Sequence, residues 1–238
     1  MVAVAMIPAR YDSTRFPGKL MQRLGDKSVI ATTYLATLNT GLFSDVIVVT
    51  DSNVIREEIE KYGGKVVMSQ KEHESGTDRI AEVAATMDVE VILNVQGDSP
   101  FIKTDPLRRL LGLFEEEVVQ VASLMRVLYD EQFISNPNNV KVCVDKNGNA
   151  LFFSRSVIPY PRNKNIQVTH YEHIGVYAFR KQALINFTTW PVSPLEDAEK
   201  IECLRFLENG VSLRMVVTEH KGVEIDTPED LERAVALL

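Results

Sequence analysis

The segment Pro8-Ala9-Arg10-Tyr11-Asp12-Ser13-Thr14-Arg15-Phe16-Pro17-Gly18-Lys19 gathers three cations, two small hydroxyl side chains and a glycine. An arginine grips two anionic oxygens at once and a lysine adds a compact point charge, so such a loop suits a triphosphate. It is neither G-x-G-x-x-G nor G-x-x-x-x-G-K-[ST], which removes the main support for a dinucleotide dehydrogenase or a P-loop enzyme. On charge alone the same loop also reads as a solvated basic surface. Arg23 extends the cationic stretch, and only Asp12 opposes it, in a chain whose net charge is -7. A small polyanion fits this local excess, whereas a nucleic acid would need a basic domain or a basic face.

Two aspartates could balance that charge. Asn94-Val95-Gln96-Gly97-Asp98-Ser99-Pro100 delivers Asp98 at the carboxyl end of an expected strand. Mg²⁺ takes one or two protein carboxylates there and completes its shell with water and phosphate. A lone Asp in such a loop is also a common turn or N-cap residue. Near the C-terminus, Thr227-Pro228 followed by Glu229 and Asp230 reads as an N-cap with Pro at N1, a structural task that leaves Asp226 available as a second metal ligand. Ser75-Gly76-Thr77-Asp78-Arg79 opens an expected helix, whose N-H groups favour an anion or a nucleobase carbonyl. By itself it is only a capping sequence. His73, His170, His173 and His220 form no i, i+4 pair on an expected helix, which argues against a zinc site. His170 and His173 would face opposite sides of one strand. No G-x-S-x-G is present, and Cys203 is expected in mid-helix as a packing residue.

Elements must hold these residues in place. Apolar runs at 2–7, 45–50, 65–68 and 90–95 read as buried strands, and 28–39, 54–62 and 77–87 carry helical spacing, with Gly41 and Gly63 where C-caps belong. Strands alternating with helices of this length imply right-handed crossovers and a mostly parallel sheet, an α/β fold. In such sheets ligands bind beyond the carboxyl ends of the strands, where the cationic loop and Asp98 lie. After residue 118 the pattern turns strand-rich, at 118–128, 139–144, 150–153 and 171–179, with Asn147-Gly148 as a hairpin signal. Helical patterns resume at 181–187, 194–209 and 228–238, around one strand at 212–217. The chain reads as a single domain, 1–238, carrying a small β-rich subdomain at about 125–180.

Composition excludes other classes. Among 238 residues, 45% are hydrophobic and 25% charged, which is ordinary globular usage rather than disorder or a coiled coil. Cys143 and Cys203 make no C-x-x-C pair and no disulfide framework, as expected in a reducing compartment. The apolar stretch Met1–Ile7 has no basic lead and stops at Pro8, so it reads as neither signal nor anchor, and a cytoplasmic protein is expected.

Taken in order, the motifs resemble the 3-deoxy-manno-octulosonate cytidylyltransferases, or CMP-Kdo synthetases. The resemblance rests on Ile7-Pro8-Ala9-Arg10 with Ser13 to Lys19, Ser75 to Arg79, Asn94 to Asp98, and Ala150 to Arg155 with Ile158-Pro159-Tyr160. It continues through His173 to Ala178, Leu204-Arg205, Glu208-Asn209-Gly210 and Asp226 to Leu231. It implies a Rossmann-like nucleotide-diphospho-sugar transferase fold, a homodimer formed partly through the β-rich subdomain, and the reaction of CTP with Kdo to give CMP-Kdo and pyrophosphate for lipopolysaccharide. It further implies that Arg10, Arg15 and Lys19 hold the triphosphate, with Pro8 and Ala9 beside them, and that Ser75, Gly76 and Arg79 help seat the cytidine. Asp98 and Asp226 would hold Mg²⁺, while Gln96, His173, Tyr177 and Glu202 would face the sugar acid. Arg10, Lys19, Asp98 and Asp226 are thus the expected catalytic set. Two departures, Ser99 for an acidic residue and Cys203 for a glutamine, lie near the expected sugar pocket and leave 8-amino-8-deoxy-Kdo or a related ulosonate as an alternative substrate. A nucleotide-binding protein without turnover is the alternative from another class.

Overall fold

Ala3–Ala9 forms β1, and every one of its residues is buried because the strand is covered on both faces. In the computed structural model, residues 1–12, 16–73, 75–163, 165–220 and 222–238 are described. They pack as two units, Met1–Leu107 with Gly222–Leu238, and Arg108–Lys221.

In the first unit, a short hairpin of β2 (Arg23–Leu24) and β3 (Lys27–Ser28) leads into helix α1 (Val29–Leu38). Strand β4 (Asp45–Thr50), helix α2 (Asn53–Glu60), strand β5 (Lys65–Met68), helix α3 (Gly76–Ala85) and strand β6 (Val91–Asn94) follow, and helix α4 (Thr104–Gly112) starts in this unit and ends in the second. The four strands β6, β1, β4 and β5 pair in that order and all in parallel. Serines start the three crossover helices: the hydroxyls of Ser28, Ser52 and Ser75 accept from the N-H groups of Ala31, Ile55 and Asp78 at 3.2, 3.5 and 3.1 Å. Because the strands run in parallel, their carboxyl ends open at the same edge, where Pro8 and Ala9 end β1, Arg10 and Lys19 follow it, and Ser75, Gly76 and Arg79 stand at the start of α3.

The second unit contains β7 (Val121–Leu128), α5 (Glu131–Ser135), β8 (Lys141–Val144), β9 (Ala150–Ser154), β10 (His170–Arg180), α6 (Lys181–Thr189), α7 (Pro194–Glu199), α8 (Leu204–Glu208) and β11 (Leu213–Val217). β11 joins β7 in parallel, while β7 with β10, β10 with β8, and β8 with β9 are antiparallel. The β8–β9 hairpin closes with Asp145 N-H on the Asn149 carbonyl at 2.8 Å, and Gly148 takes φ 80°, as the Asn-Gly pair predicts. Between Ile174 and Tyr177 the β10–β7 register slips. Ser123 fills that bulge, its hydroxyl donating to the carbonyls of Ile174 at 3.1 Å and Val176 at 2.8 Å.

Afterwards the chain re-enters the first unit with α9 (Pro228–Val235), capped by Thr227 and Asp230 as expected. The single helix expected at 194–209 is instead two, α7 and α8. Lys200 adopts φ 52°, ψ 48°, and the Arg155 guanidinium takes the carbonyls of Glu199 and Lys200 that a continuous helix would use. Cys203 therefore sits at the start of α8, in the N-cap position, instead of lying in mid-helix. The β2–β3 hairpin, α4 and α5 were not legible in the periodicity. Among the described residues, no helix is long and apolar enough to cross a membrane.

Candidate active site

Lys19 begins a tight helical turn after β1, and its ammonium joins residues far apart in sequence. Nζ donates to Asp98 and to Asp226, the latter contact at 2.7 Å, and the Lys19 side chain is only 15% exposed. Backbone bonds place both carboxylates. The Ile225 N-H donates to the Asp98 carbonyl at 3.0 Å, the Thr33 hydroxyl to that of Gly97 at 2.9 Å, and the Asp226 N-H to Asp230 of the α9 cap at 3.1 Å. The cap is structural, as its sequence suggests, and it also seats Asp226. Burial alone would lower the Lys19 pKa, but attraction to Asp98 and hydrogen bonds to Asp226 and Asp98 outweigh it, so the pKa lies above the usual lysine value. The ammonium stays charged at neutral pH.

Around this cluster the backbone is crowded. A Cβ on Gly76 would meet Pro8 Cγ at 3.0 Å, and one on Gly97 would come within 3.2 Å of the Pro8 carbonyl oxygen and 3.1 Å of Ile30. Glycine at 76 and 97 lets the start of α3 and the loop after β6 close on the end of β1. Ser75 caps α3 and donates its hydroxyl to Asp78 at 2.8 Å. Arg79, almost fully buried, donates to Ser69 at 2.7 Å and Asp51 at 2.6 Å, fastening α3 to the loops after β4 and β5. Ala9 is buried at the end of β1 and Arg10 beyond it is exposed. Arg15 falls outside the described residues. Gln96 donates to the Asn94 carbonyl group of its side chain at 3.3 Å.

The remaining expected residues belong to the second unit. His173 and Tyr177 flank the β10 bulge with ring centroids 5.3 Å apart, and Phe153 meets His173 edge-on at 5.0 Å. His173 Nε2 is 3.0 Å from the Ser123 hydroxyl, and burial pushes the imidazole down to about 4 from 6.5. It is neutral at pH 7. Glu202 and Cys203 occupy the turn between α7 and α8. Burial drives the Cys203 thiol far above the usual range, against the opposing contact of the Tyr177 hydroxyl, so it is no nucleophile. The structure thus brings Lys19, Asp98 and Asp226 together in one unit, and His173, Tyr177 and Cys203 together in the other.

Sequence reasoning missed Ser123, whose position in β7 reads as ordinary strand. Only the register slip in β10 gives it a task. It also missed the pairing of Glu196 with Arg205, nine residues on, because a continuous helix would not bring those side chains face to face.

Comparison with known proteins decides the family. The family model described as Cytidylyltransferase matches residues 4–217. The 3-deoxy-manno-octulosonate cytidylyltransferase of Flavobacterium johnsoniae is 56% identical over 241 residues, covering 100% of this chain and 99% of its own. That of Christiangramia forsetii is 56% identical over 238 residues, covering 99% and 96%. A solved CMP:2-keto-3-deoxy-manno-octonic acid synthetase complexed with CTP superposes with a TM-score of 0.95 at 36% identity, covering 100% of this chain and 98% of the other.

The chain belongs to the 3-deoxy-manno-octulosonate cytidylyltransferase family. The resemblance, the α/β nucleotidyltransferase fold and the assignment as an enzyme are thereby borne out, and the similarity to relatives named for the unmodified octulosonate disfavours the 8-amino alternative. Within that family setting, the oxygen-rich pair Asp98 and Asp226 suits Mg²⁺. Among the described residues no group of three or more His, Cys, Asp or Glu stands ready for a metal, and Mg²⁺ needs fewer because water and phosphate complete its shell.

Proposed function

We propose that this chain transfers CMP from CTP to the anomeric hydroxyl of Kdo, releasing pyrophosphate. The Kdo oxygen forms the new bond to the α-phosphorus, the bond from that phosphorus to the bridging oxygen breaks, and the hydroxyl proton passes to solvent. The observation that carries the reading is the Lys19–Asp98–Asp226 cluster at the carboxyl edge of a parallel sheet, in a chain of this family. Alignment and charge neutralisation are what such a transfer needs, since no covalent enzyme intermediate is required.

Asp98 and Asp226 would hold Mg²⁺, which when bound neutralises phosphate charge and makes the attacking hydroxyl more acidic. The two carboxylates keep the Lys19 ammonium beside them, poised to turn to the triphosphate with Arg10 and Arg15. Pro8, Ala9, Ser75 and Gly76 shape the nucleotide side, and Arg79, engaged with Ser69 and Asp51, positions α3. Gln96, Glu202, Tyr177 and a neutral His173 contribute hydrogen-bonding groups toward the sugar acid. A neutral imidazole can accept as well as donate, which suits a hydroxyl-rich substrate.

The same proposal includes homodimer formation through the β-rich part of the second unit and a cytoplasmic place in lipopolysaccharide assembly. The exposed apolar side chains of Val118, Leu151, Tyr160 and Ile166 support the dimer, and sedimentation at micromolar concentration tests it. The central experiment is pyrophosphate release from CTP with Kdo, with and without Mg²⁺. Release that requires both CTP and Kdo and stops on chelation is expected. Release with another nucleotide in preference to CTP, or none with Kdo, overturns the proposal.

A further inference from the structure

The turn that carries Glu202 and Cys203 is built from unusually costly parts. Helices α7 and α8 have only six and five residues, too few to be stable by propensity. The connection begins at Lys200, a non-glycine residue in the left-handed region with φ 52°. Arg205 makes a two-pronged contact with Glu196, Nε to Oε2 at 2.7 Å and Nη2 to Oε1 at 2.6 Å, and both side chains are buried. The guanidinium carbon lies 4.0 Å from the centre of the Phe187 ring. Glu196 also accepts from the Ser193 N-H at 3.1 Å, so one carboxylate serves both the α7 cap and the link to α8. From the other side, Arg155 donates to the carbonyls of Glu199 at 2.6 Å and Lys200 at 3.3 Å.

Stability alone explains this poorly. A buried ion pair loses solvation on both partners, and well-packed apolar residues of similar volume often serve stability equally well. What the pair supplies is geometry: two parallel N-H donors fix the direction and separation of the segments on either side of the turn. The turn in turn meets β10, because Cys203 lies against the Tyr177 hydroxyl and the Tyr177 ring lies against His173.

We propose that Glu196 and Arg205 are positioning residues that fix the Lys200–Cys203 turn and thereby set the affinity for the sugar acid. The inference rests on the reading of Glu202 as a sugar contact. Neither residue touches substrate; each acts through the turn.

The test is steady-state kinetics on the full-length enzyme, with Kdo and CTP varied separately. In the double variant Glu196→Leu/Arg205→Met no charge is left unpaired, so the melting temperature should stay within a few degrees of the parent while KM for Kdo rises about 10-fold and KM for CTP does not move. Arg205→Lys keeps the charge but loses the fork, and should show the same selective rise should the double variant not fold. Unchanged KM for Kdo in whichever variant folds, or an equal rise in both KM values, overturns the proposal. Glu202→Gln, measured in parallel, separates the two readings. A rise in its KM for Kdo with none in the pair variants removes the positioning role alone, whereas no change in Glu202→Gln removes the sugar contact and the inference resting on it.

Discussion

The cluster at Lys19 and the cluster at His173 solve opposite electrostatic problems. In the first unit one ammonium is partly buried between two carboxylates and its charge is reinforced. In the second, an imidazole is enclosed by Phe153, Tyr177 and Ser123 and its charge is suppressed. Burial accompanies both, yet desolvation does not decide ionisation in both. Opposite charges within hydrogen-bond reach decide it at Lys19, whereas at His173 burial decides it. The contrast matches the two halves of the proposed chemistry, a highly charged triphosphate handled by ions and a sugar acid met by hydrogen-bonding groups that include an uncharged imidazole.

The sharpest way to break this comparison is Asp98→Asn, which removes one carboxylate without changing shape. Turnover should fall ~10²-fold or more while circular dichroism and melting stay close to the parent. Near-parental turnover in the folded variant would remove Asp98 from the mechanism.

His173 tests the other half through pH. Folding lowers its pKa from 6.5 to about 4, so between those values the folded protein binds fewer protons than the unfolded chain. Its contribution is complete above pH 6.5 and is lost as pH falls toward 4, for a total of about 3 kcal/mol. Urea unfolding at pH 7 and pH 4.5 should therefore show a steeper acid loss in the parent than in His173→Gln. Equal loss in both would mean that the imidazole is not held neutral.

A smaller effect is expected from Lys19→Ala. CTP affinity should weaken about 10-fold and more so at low ionic strength, with sugar preference unaltered. An altered preference between Kdo and its 8-amino analogue would contradict the division of labour between the two clusters. Smaller still, Thr227→Ala deletes the α9 cap and should cost about 1 kcal/mol of stability. Because the cap also seats Asp226, a modest loss of turnover should accompany it, and isothermal denaturation with parallel assays would read both.

How much of this was legible beforehand follows from the range of the forces involved. Strand β4 is legible at its observed bounds because a buried parallel strand is a continuous apolar run, whereas β5, legible at its bounds from a short Val-Val-Met run, is a partly exposed edge strand and not the buried one that run suggests. The caps at Ser75 and Thr227 are signals spanning three or four residues, and both were visible. Asp98 and Asp226 were identifiable as candidates from local context and from the ordered motifs. Their meeting on Lys19 depends on how the loops after β1 and β6 close with the segment before α9.

By itself, the sequence determined the α/β alternation, the cationic loop, the two aspartates and the family, since periodicity, turn chemistry and motif order are all written along the chain. Only the tertiary structure decided that residues 194–209 break at Lys200, that Ser123 fills the β10 bulge, that Arg79 is engaged by Asp51 and Ser69, and that His173 is neutral. Each of these depends on a partner distant in sequence that supplies a hydrogen bond or takes away solvent, and neither effect leaves a periodic trace in the residues it acts upon.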